Sequence, residues 1–335
     1  MPGDGIPRSI AVLGAGSWGT ALAIQLARSG RRIVLWGRES DDLAGMQRNR
    51  ENRRYLPGCP FPESLEIQGS LVEALAADEI LVVVPSHALR ELLGTIKATG
   101  KSPQRLAWAT KGFEPETARL AHEVVAAEFG GIPVCVLSGP TFALEVGKGL
   151  PTAITAAGDG ALADFMADAL HGRHFRAYTS TDIIGVELGG SCKNVIAIGA
   201  GLSDGLGFGA NARVALITRG LAEIMRLGTI MGADTRTFLG LAGMGDLVLT
   251  CTDNQSRNRR MGLALAEGKS QEQAKREIGQ VVEGVSAARE VRRLAERHGV
   301  EMPIAESIYG VLFEGLDARA AVEALFDRER KPESV

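Results

Sequence analysis

Neither sign of charge dominates this chain: 37 lysines and arginines against 40 aspartates and glutamates leave a formal net charge of -3 over 335 residues. That balance supplies no field to attract nucleic acid or an acidic membrane, and the reading includes neither partner, although a local anion site remains open. Cysteine is scarce. Cys59, Cys135, Cys192 and Cys251 stand far apart, with no C-x-x-C and no metal-ligand spacing, which suits reduced thiols packed as small hydrophobes in the cytoplasm. Histidine is sparse too. His87, His122, His171, His174 and His298 form no H-x-x-x-H pair and no nucleophile triad, so neither a metal nor a catalytic role falls to them. No apolar run approaches the ~20 residues that span a bilayer, and "MPGDGIPRS" lacks the apolar core of a signal peptide. The expectation is a soluble, cytoplasmic protein. At 45% hydrophobic and 23% charged, the composition is that of a globular chain with room for about two domains.

Glycine is what the chain has in quantity, 42 residues, and its placement in "AVLGAGSWGTALAIQLARSG" is specific. Residues 10–13 read as a buried parallel strand, and from Trp18 onward apolar residues recur at helical spacing until Gly30. Between strand and helix stand Gly14, Gly16 and Gly19, a G-x-G-x-x-G. The first allows a tight turn, the second a close approach of backbone to a pyrophosphate, and the third the packing of helix on strand. The helix N-terminus then faces the phosphates with unpaired N–H groups and a favourable dipole. After the next strand, 32–36, a carboxylate for the adenosine ribose is missing. Gly37 and Arg38 occupy that place, and Arg38 suits the 2′-phosphate of NADP through paired donors, while Glu39 beside it keeps NAD open.

Strand and helix signals then alternate. "DEILVVVPSHALRELL" gives a strand at 80–84 stopped by Pro85, then a helix with Ser86 as its N-cap; "RLAWATKGFEPETARLAHEVVAAEFG", "PVCVLSGP" and "PTAITAAG" add further strands before a helix at 160–170. This pattern predicts an α/β fold, a Rossmann-type doubly wound sheet with ligands at the carboxyl ends of its strands, where Lys111, Ser138 and Thr141 fall. From Asp182 onward only helical patterns follow, at 183–201, 211–230, 256–266, 284–298 and two more. The expected domains are a dinucleotide-binding domain at 8–190 and an all-helical substrate-binding and catalytic domain at 191–330, joined by a continuous helix. The closing "DRERKPESV" reads as a charged, frayed tail.

Two stretches carry candidate chemistry. In "GVELGGSCKNVIAIGAGLSDGLGFG", Lys193 sits mid-helix among glycines that each cost a helix about 1 kcal/mol, so another helix or a ligand approaches closely. A lysine desolvated there is suited to proton transfer; the competing reading lays its stem over apolar surface with the ammonium in water. In "AGMGDLVLTCTDNQSRNRRMGLALAEG", Ser256 can cap a helix while Arg257, Asn258 and the helix end form a phosphate-sized anion site, unless "SRNRR" is a solvated basic turn.

The stretches "GAGSWGTALA", "VVVPSHALR", "ATKGFE", "LSGPTFALEV", "ELGGSCKNVIAIGAGLSDGLGFGANARVALITRG", "GMGDLVLTCT", "SRNRRMG" and "VVEGV" resemble, in order and over nearly the whole chain, the NAD(P)-dependent sn-glycerol-3-phosphate dehydrogenases of bacteria. The resemblance implies a homodimer that reversibly reduces dihydroxyacetone phosphate to glycerol 3-phosphate for phospholipid synthesis, with NADP or NAD as cofactor and NADPH favoured. It implies that Ser17, Trp18 and Arg38 meet the cofactor, with Lys111, Ala143, Arg257, Val281 and Glu283 nearby, and that Lys111, Gly139 and Thr141 meet the substrate. It makes Lys193 the proton donor, supported by Asp246, and puts Ser256, Arg257 and Asn258 on the phosphate, with Thr250 lining that pocket. The sequence departs from the family in Ser191-Cys192, where Ala-Leu is usual, and in Thr141, where Ser is common.

Two other readings stay open. A different β-hydroxyacid-type dehydrogenase would share both halves and the lysine but replace the phosphate cluster. A non-enzymatic NADP sensor would have no need of Lys193 and Asp246.

Overall fold

Eight short strands, β1 (Ile10–Leu13), β2 (Ile33–Trp36), β3 (Leu65–Gln68), β4 (Glu79–Val82), β5 (Leu106–Trp108), β6 (Val134–Ser138), β7 (Thr152–Gly158) and β8 (Phe175–Ser180), form one sheet in the order β3-β2-β1-β4-β5-β6-β7-β8 in the computed structural model. The structure describes residues 8–38 and 42–327. Glu39, the stretch "MPGDGIP" and the tail from Arg328 lie outside them, and with them the expectations placed there.

Neighbouring strands run parallel except β6 and β7, which pair antiparallel with Ser138 opposite Thr155. Every residue of β1 is buried, as a strand covered on both faces requires. The helices of this part are α1 (Ser17–Arg28), α2 (Leu43–Asn49), α3 (Leu71–Ala74), α4 (Ser86–Ala98), α5 (Ala121–Phe129), α6 (Ala143–Lys148) and α7 (Gly160–Leu170). Ser86 is the first residue of α4 rather than its cap; Pro85 holds the cap position and no side chain caps the helix. The strand expected at 80–84 ends at Val82. Two strands, β3 and β8, carry no clear strand signal in the sequence, because both are half-exposed and polar residues interrupt their apolar pattern.

The rest is helical: α8 (Ile183–Gly205), α9 (Gly209–Ile230), α10 (Thr235–Phe238), a π-helical turn at Leu241–Gly245, α11 (Asp246–Thr252), α12 (Arg257–Ala266), α13 (Gln271–Ile278), α14 (Glu283–His298), α15 (Pro303–Phe313) and α16 (Ala318–Phe326). Two compact units result. The first comprises residues up to Lys111 and Ala121–Ile183, the second Gly112–Leu120 and everything from Ile184. Position 190 therefore lies inside a helix of the second unit, and the short segment Gly112–Leu120 belongs there too. Phe113, Ala118 and Leu120 are buried in the second unit's core with Leu188, Val195 and Ile196 of α8. A local reading of hydrophobic periodicity cannot assign a segment to a distant core.

Helix α8 is long and apolar enough by length and mean hydropathy, 1.3, to cross a bilayer, yet 89% of its apolar window is buried within the protein. The sequence shows no such run, because the glycines, Glu187, Lys193 and Asn194 break it up. Those same glycines admit other helices. A Cβ on Gly201 would meet the Arg259 carbonyl oxygen at 2.1 Å and one on Gly189 the Ala242 oxygen at 2.5 Å, while from the other side one on Gly262 of α12 would meet the Ile198 oxygen of α8 at 2.0 Å. What approaches α8 there is backbone.

A buried carboxyl ties α9 to α15. Glu223, 2% exposed, accepts the N–H groups of Ile304 at 2.8 Å and Ala305 at 3.2 Å, capping the helix that Pro303 opens. Burial pushes this carboxyl up to about 7 against the downward pull of those two bonds. A folded state that holds a proton more tightly than the unfolded chain is most stabilised below the unfolded value and loses that advantage as pH rises through the folded one. We expect stability to fall between about pH 5 and pH 8 by roughly 3 kcal/mol from this group, and Glu223→Gln to flatten the trend. Thermal unfolding across that range checks it, and an unchanged slope in the variant assigns the trend elsewhere.

Candidate active site

In the first unit, β1 delivers the chain into the glycine turn. Gly14 adopts φ +129°, and a Cβ there would meet the Val83 carbonyl oxygen at 2.3 Å; one on Gly19 would meet the Gly14 oxygen at 1.9 Å. Between them Gly16 is exposed, with nothing within 4 Å of where its Cβ would stand. It is the N-cap of α1, which has no side-chain cap and no acidic residue in its first turn. Open space beside Gly16 and uncapped N–H groups facing it are what a pyrophosphate needs. Ser17 and Trp18 open the helix, and the Trp18 Nε1 is buried with no hydrogen-bond partner among the described residues. The residues present thus fit a dinucleotide.

Asn52, 1% exposed, holds this turn: its Nδ2 donates to the Ala15 carbonyl and to the Thr20 hydroxyl, both at 2.9 Å, and its Oδ1 accepts from Tyr55 N–H at 3.1 Å. Nothing in local spacing marks an asparagine so far along the chain. Gly14 N–H donates to the Trp36 carbonyl at 2.9 Å, so the end of β2 lies beside the glycine turn and the exposed Arg38 follows two residues on.

At the ends of β5 and β6 three expected substrate residues converge. The half-buried Lys111 donates from Nζ to the Gly139 carbonyl at 3.1 Å, and the Thr141 hydroxyl donates to the same oxygen at 3.2 Å. Ala143 opens α6, half-buried. Ser138, also at that end, has a buried hydroxyl with no hydrogen-bond partner among the described residues.

In the second unit, Lys193 is 7% exposed. Its Nζ donates to Asp246 Oδ1 at 2.5 Å and to Thr250 Oγ1 at 2.8 Å, and the Thr250 hydroxyl donates to the Asp246 carbonyl at 2.6 Å. The ammonium is therefore held inside, not extended into water. Gly189 makes this possible by letting α8 press on Ala242 of the π-helical turn that delivers Asp246, a rare element that recurs at functional sites.

Ser256 caps α12, its hydroxyl accepting from Arg259 N–H at 3.2 Å. Arg257 is half-buried with no hydrogen bond or ion pair to another described residue. Asn258 works chiefly within the scaffold: Nδ2 donates to Asn194 Oδ1 at 2.8 Å, and Oδ1 accepts from Gly284 N–H at 2.9 Å. That ties the start of α12 to the neighbour of Lys193 and to the first turn of α14, which Glu283 opens; Val281, just ahead, is 48% exposed. The basic run is split. Arg259, two residues and about 200° of helix past Arg257, turns inward to donate to Asp204 Oδ2 at 2.6 Å, and Arg213 grips both oxygens of Asp204 at 2.8 Å. "SRNRR" is therefore not one cluster, since Arg257 and Arg259 have different tasks.

The four cysteines are free and buried. Burial pushes the thiols of Cys135, Cys192 and Cys251 up to about 12, so they stay protonated and inert.

Comparison with known proteins identifies the family. Residues 9–162 match the family model described as the NAD-dependent glycerol-3-phosphate dehydrogenase N-terminus, and residues 182–323 match the one for its C-terminus. The chain belongs to the NAD-dependent glycerol-3-phosphate dehydrogenase family. It is 57% identical to a glycerol-3-phosphate dehydrogenase [NAD(P)+] of Pseudoalteromonas translucida over 97% of this chain and 98% of that one. An Escherichia coli K12 protein of the same name is 56% identical, with 97% of each chain covered. The crystal structure of a Coxiella burnetii glycerol-3-phosphate dehydrogenase superposes with a TM-score of 0.93 at 49% identity, covering 97% of this chain and all of that one.

Proposed function

We propose that this chain reduces dihydroxyacetone phosphate to sn-glycerol 3-phosphate reversibly, as its family does. The observation that carries the proposal is the buried Lys193 bonded to Asp246 and Thr250 in a chain with an open glycine turn. NAD(P)H, bound at that turn, supplies the hydride for the C2 carbonyl carbon.

The chain's own residues do the rest. The first unit binds the dinucleotide, with Gly14, Gly16 and Gly19 shaping the turn and Ser17, Trp18, Arg38 and Ala143 contacting the cofactor. Lys111, Gly139 and Thr141 meet the substrate. In the second unit Lys193, as the ammonium, gives a proton to the oxygen that becomes the C2 hydroxyl, and Asp246 and Thr250 hold it in place. Arg257 and the α12 N-terminus, capped by Ser256 and braced by Asn258, grip the substrate's phosphate, and binding energy spent there orients the reacting carbon. Val281 and Glu283 stand at the cofactor. Buried free thiols suit a reducing compartment, the cytoplasm, and the product suits phospholipid synthesis. The resemblance implies a homodimer, which light scattering on the eluted protein checks.

The test is the fall in absorbance of NADPH or NADH with dihydroxyacetone phosphate. Turnover dependent on this ketone supports the proposal; cofactor binding without turnover means a sensor. We further expect Arg38→Ala to weaken NADPH more than NADH, because only NADPH carries a 2′-phosphate for the guanidinium. Equal losses in the two dissociation constants would remove Arg38 from that role.

A further inference from the structure

The hydroxyl of Ser191 is fully committed. On α8, two residues before Lys193 and 1% exposed, it donates to the Glu187 carbonyl at 2.7 Å. Its proton being spent there, the oxygen is left to accept, and it takes the buried N–H of Gly112 at 2.9 Å. Gly112 adopts φ +117°, a conformation that leaves little choice but glycine. It is also where the chain enters the second unit, whose core buries Phe113, Ala118 and Leu120. Further along the same segment, Glu116 N–H donates to Glu290 Oε1 at 3.1 Å, and Arg297 donates to the Thr117 carbonyl at 3.0 Å.

The N–H that Ser191 holds shares one rigid peptide plane with the carbonyl and Cα of Lys111. Fixing Gly112 N–H therefore fixes the base from which the Lys111 side chain extends, up to a single rotation. We propose that Ser191 is a positioning residue for Lys111, fixing through Gly112 the peptide from which the lysine extends toward the substrate. The proposal rests on Lys111 being a substrate residue, as read above. Cys192, its neighbour, packs in the core and takes no part.

Steady-state kinetics of Ser191→Ala, Ser191→Thr, Lys111→Ala and the double alanine variant test it. Alanine favours helix, so the fold of α8 is kept. The buried Gly112 N–H, however, loses the acceptor that Ser191 supplies, and we expect KM for dihydroxyacetone phosphate to rise about five- to tenfold with kcat within about twofold. NADPH affinity should stay within about twofold, and Ser191→Thr, which keeps a hydroxyl, should recover most of the loss. If Ser191 acts through Lys111, the double variant is no worse than Lys111→Ala alone. Multiplying effects, an unchanged KM in Ser191→Ala, or a loss that threonine does not restore overturns the proposal. An unchanged KM in Lys111→Ala instead strikes the substrate reading of Lys111, a distinct failure that takes the proposal with it.

Discussion

Lys193→Met lowers kcat with dihydroxyacetone phosphate by about 10²–10⁴, the range expected for losing a general acid, and leaves NADPH affinity within a few-fold. The expectation follows from geometry: the ammonium is bonded to Asp246 Oδ1 at 2.5 Å and to Thr250 at 2.8 Å, so it is aimed and cannot wander into solvent. Removing it also leaves Asp246, 1% exposed, without its cation, and breaking one side of a buried pair typically costs about 3–5 kcal/mol of stability. Lys193→Arg separates the two effects. Arginine keeps a cation for Asp246 but does not give up a proton under these conditions. It should therefore keep much of the unfolding temperature while remaining slow. Near-normal turnover in either variant would remove Lys193 from the proton transfer.

Arg257→Ala should cost about 2–4 kcal/mol of transition-state binding in kcat/KM for dihydroxyacetone phosphate, given a charge-assisted contact in a closed site. Arg257 is half-buried and without a described partner. Ser256 satisfies only the Arg259 N–H, leaving the first N–H groups of α12 for an anion. Asn258, with its oxygen and one N–H already spent on Gly284 and Asn194, contributes less. Unphosphorylated dihydroxyacetone, at saturating NADPH, should lose much less than the phosphate ester. An equal penalty on both would show that Arg257 does not read the phosphate and would direct the search toward small hydroxyacids.

What could be read from the chain was local chemistry with a strict pattern. The glycine turn was legible because each glycine answers a separate steric demand, two of them from carbonyl oxygens about 2 Å from where a Cβ would stand. Lys193 was legible as unusual because so many helix-breaking residues surround it. Its partners were not, since nothing in spacing alone brings residue 246 to residue 193; the family resemblance supplied Asp246. Asn52, the Asp204 clamp on Arg213 and Arg259, and the passage of Gly112–Leu120 into the second unit are contacts between distant parts of the sequence. The antiparallel pairing of β6 with β7 was hidden as well, because strand direction is set by connections and not by side-chain alternation.

The central claim is that hydride reaches C2 of dihydroxyacetone phosphate while this chain protonates the oxygen. The direct measurement uses NADPH deuterated at both C4 positions of the dihydronicotinamide and mass spectrometry of the product. The account predicts one deuterium at C2 of sn-glycerol 3-phosphate for each cofactor oxidised, with the rate of labelling collapsing in Lys193→Met. Cofactor oxidation without labelled glycerol 3-phosphate, or labelling at an undiminished rate in that variant, would contradict it.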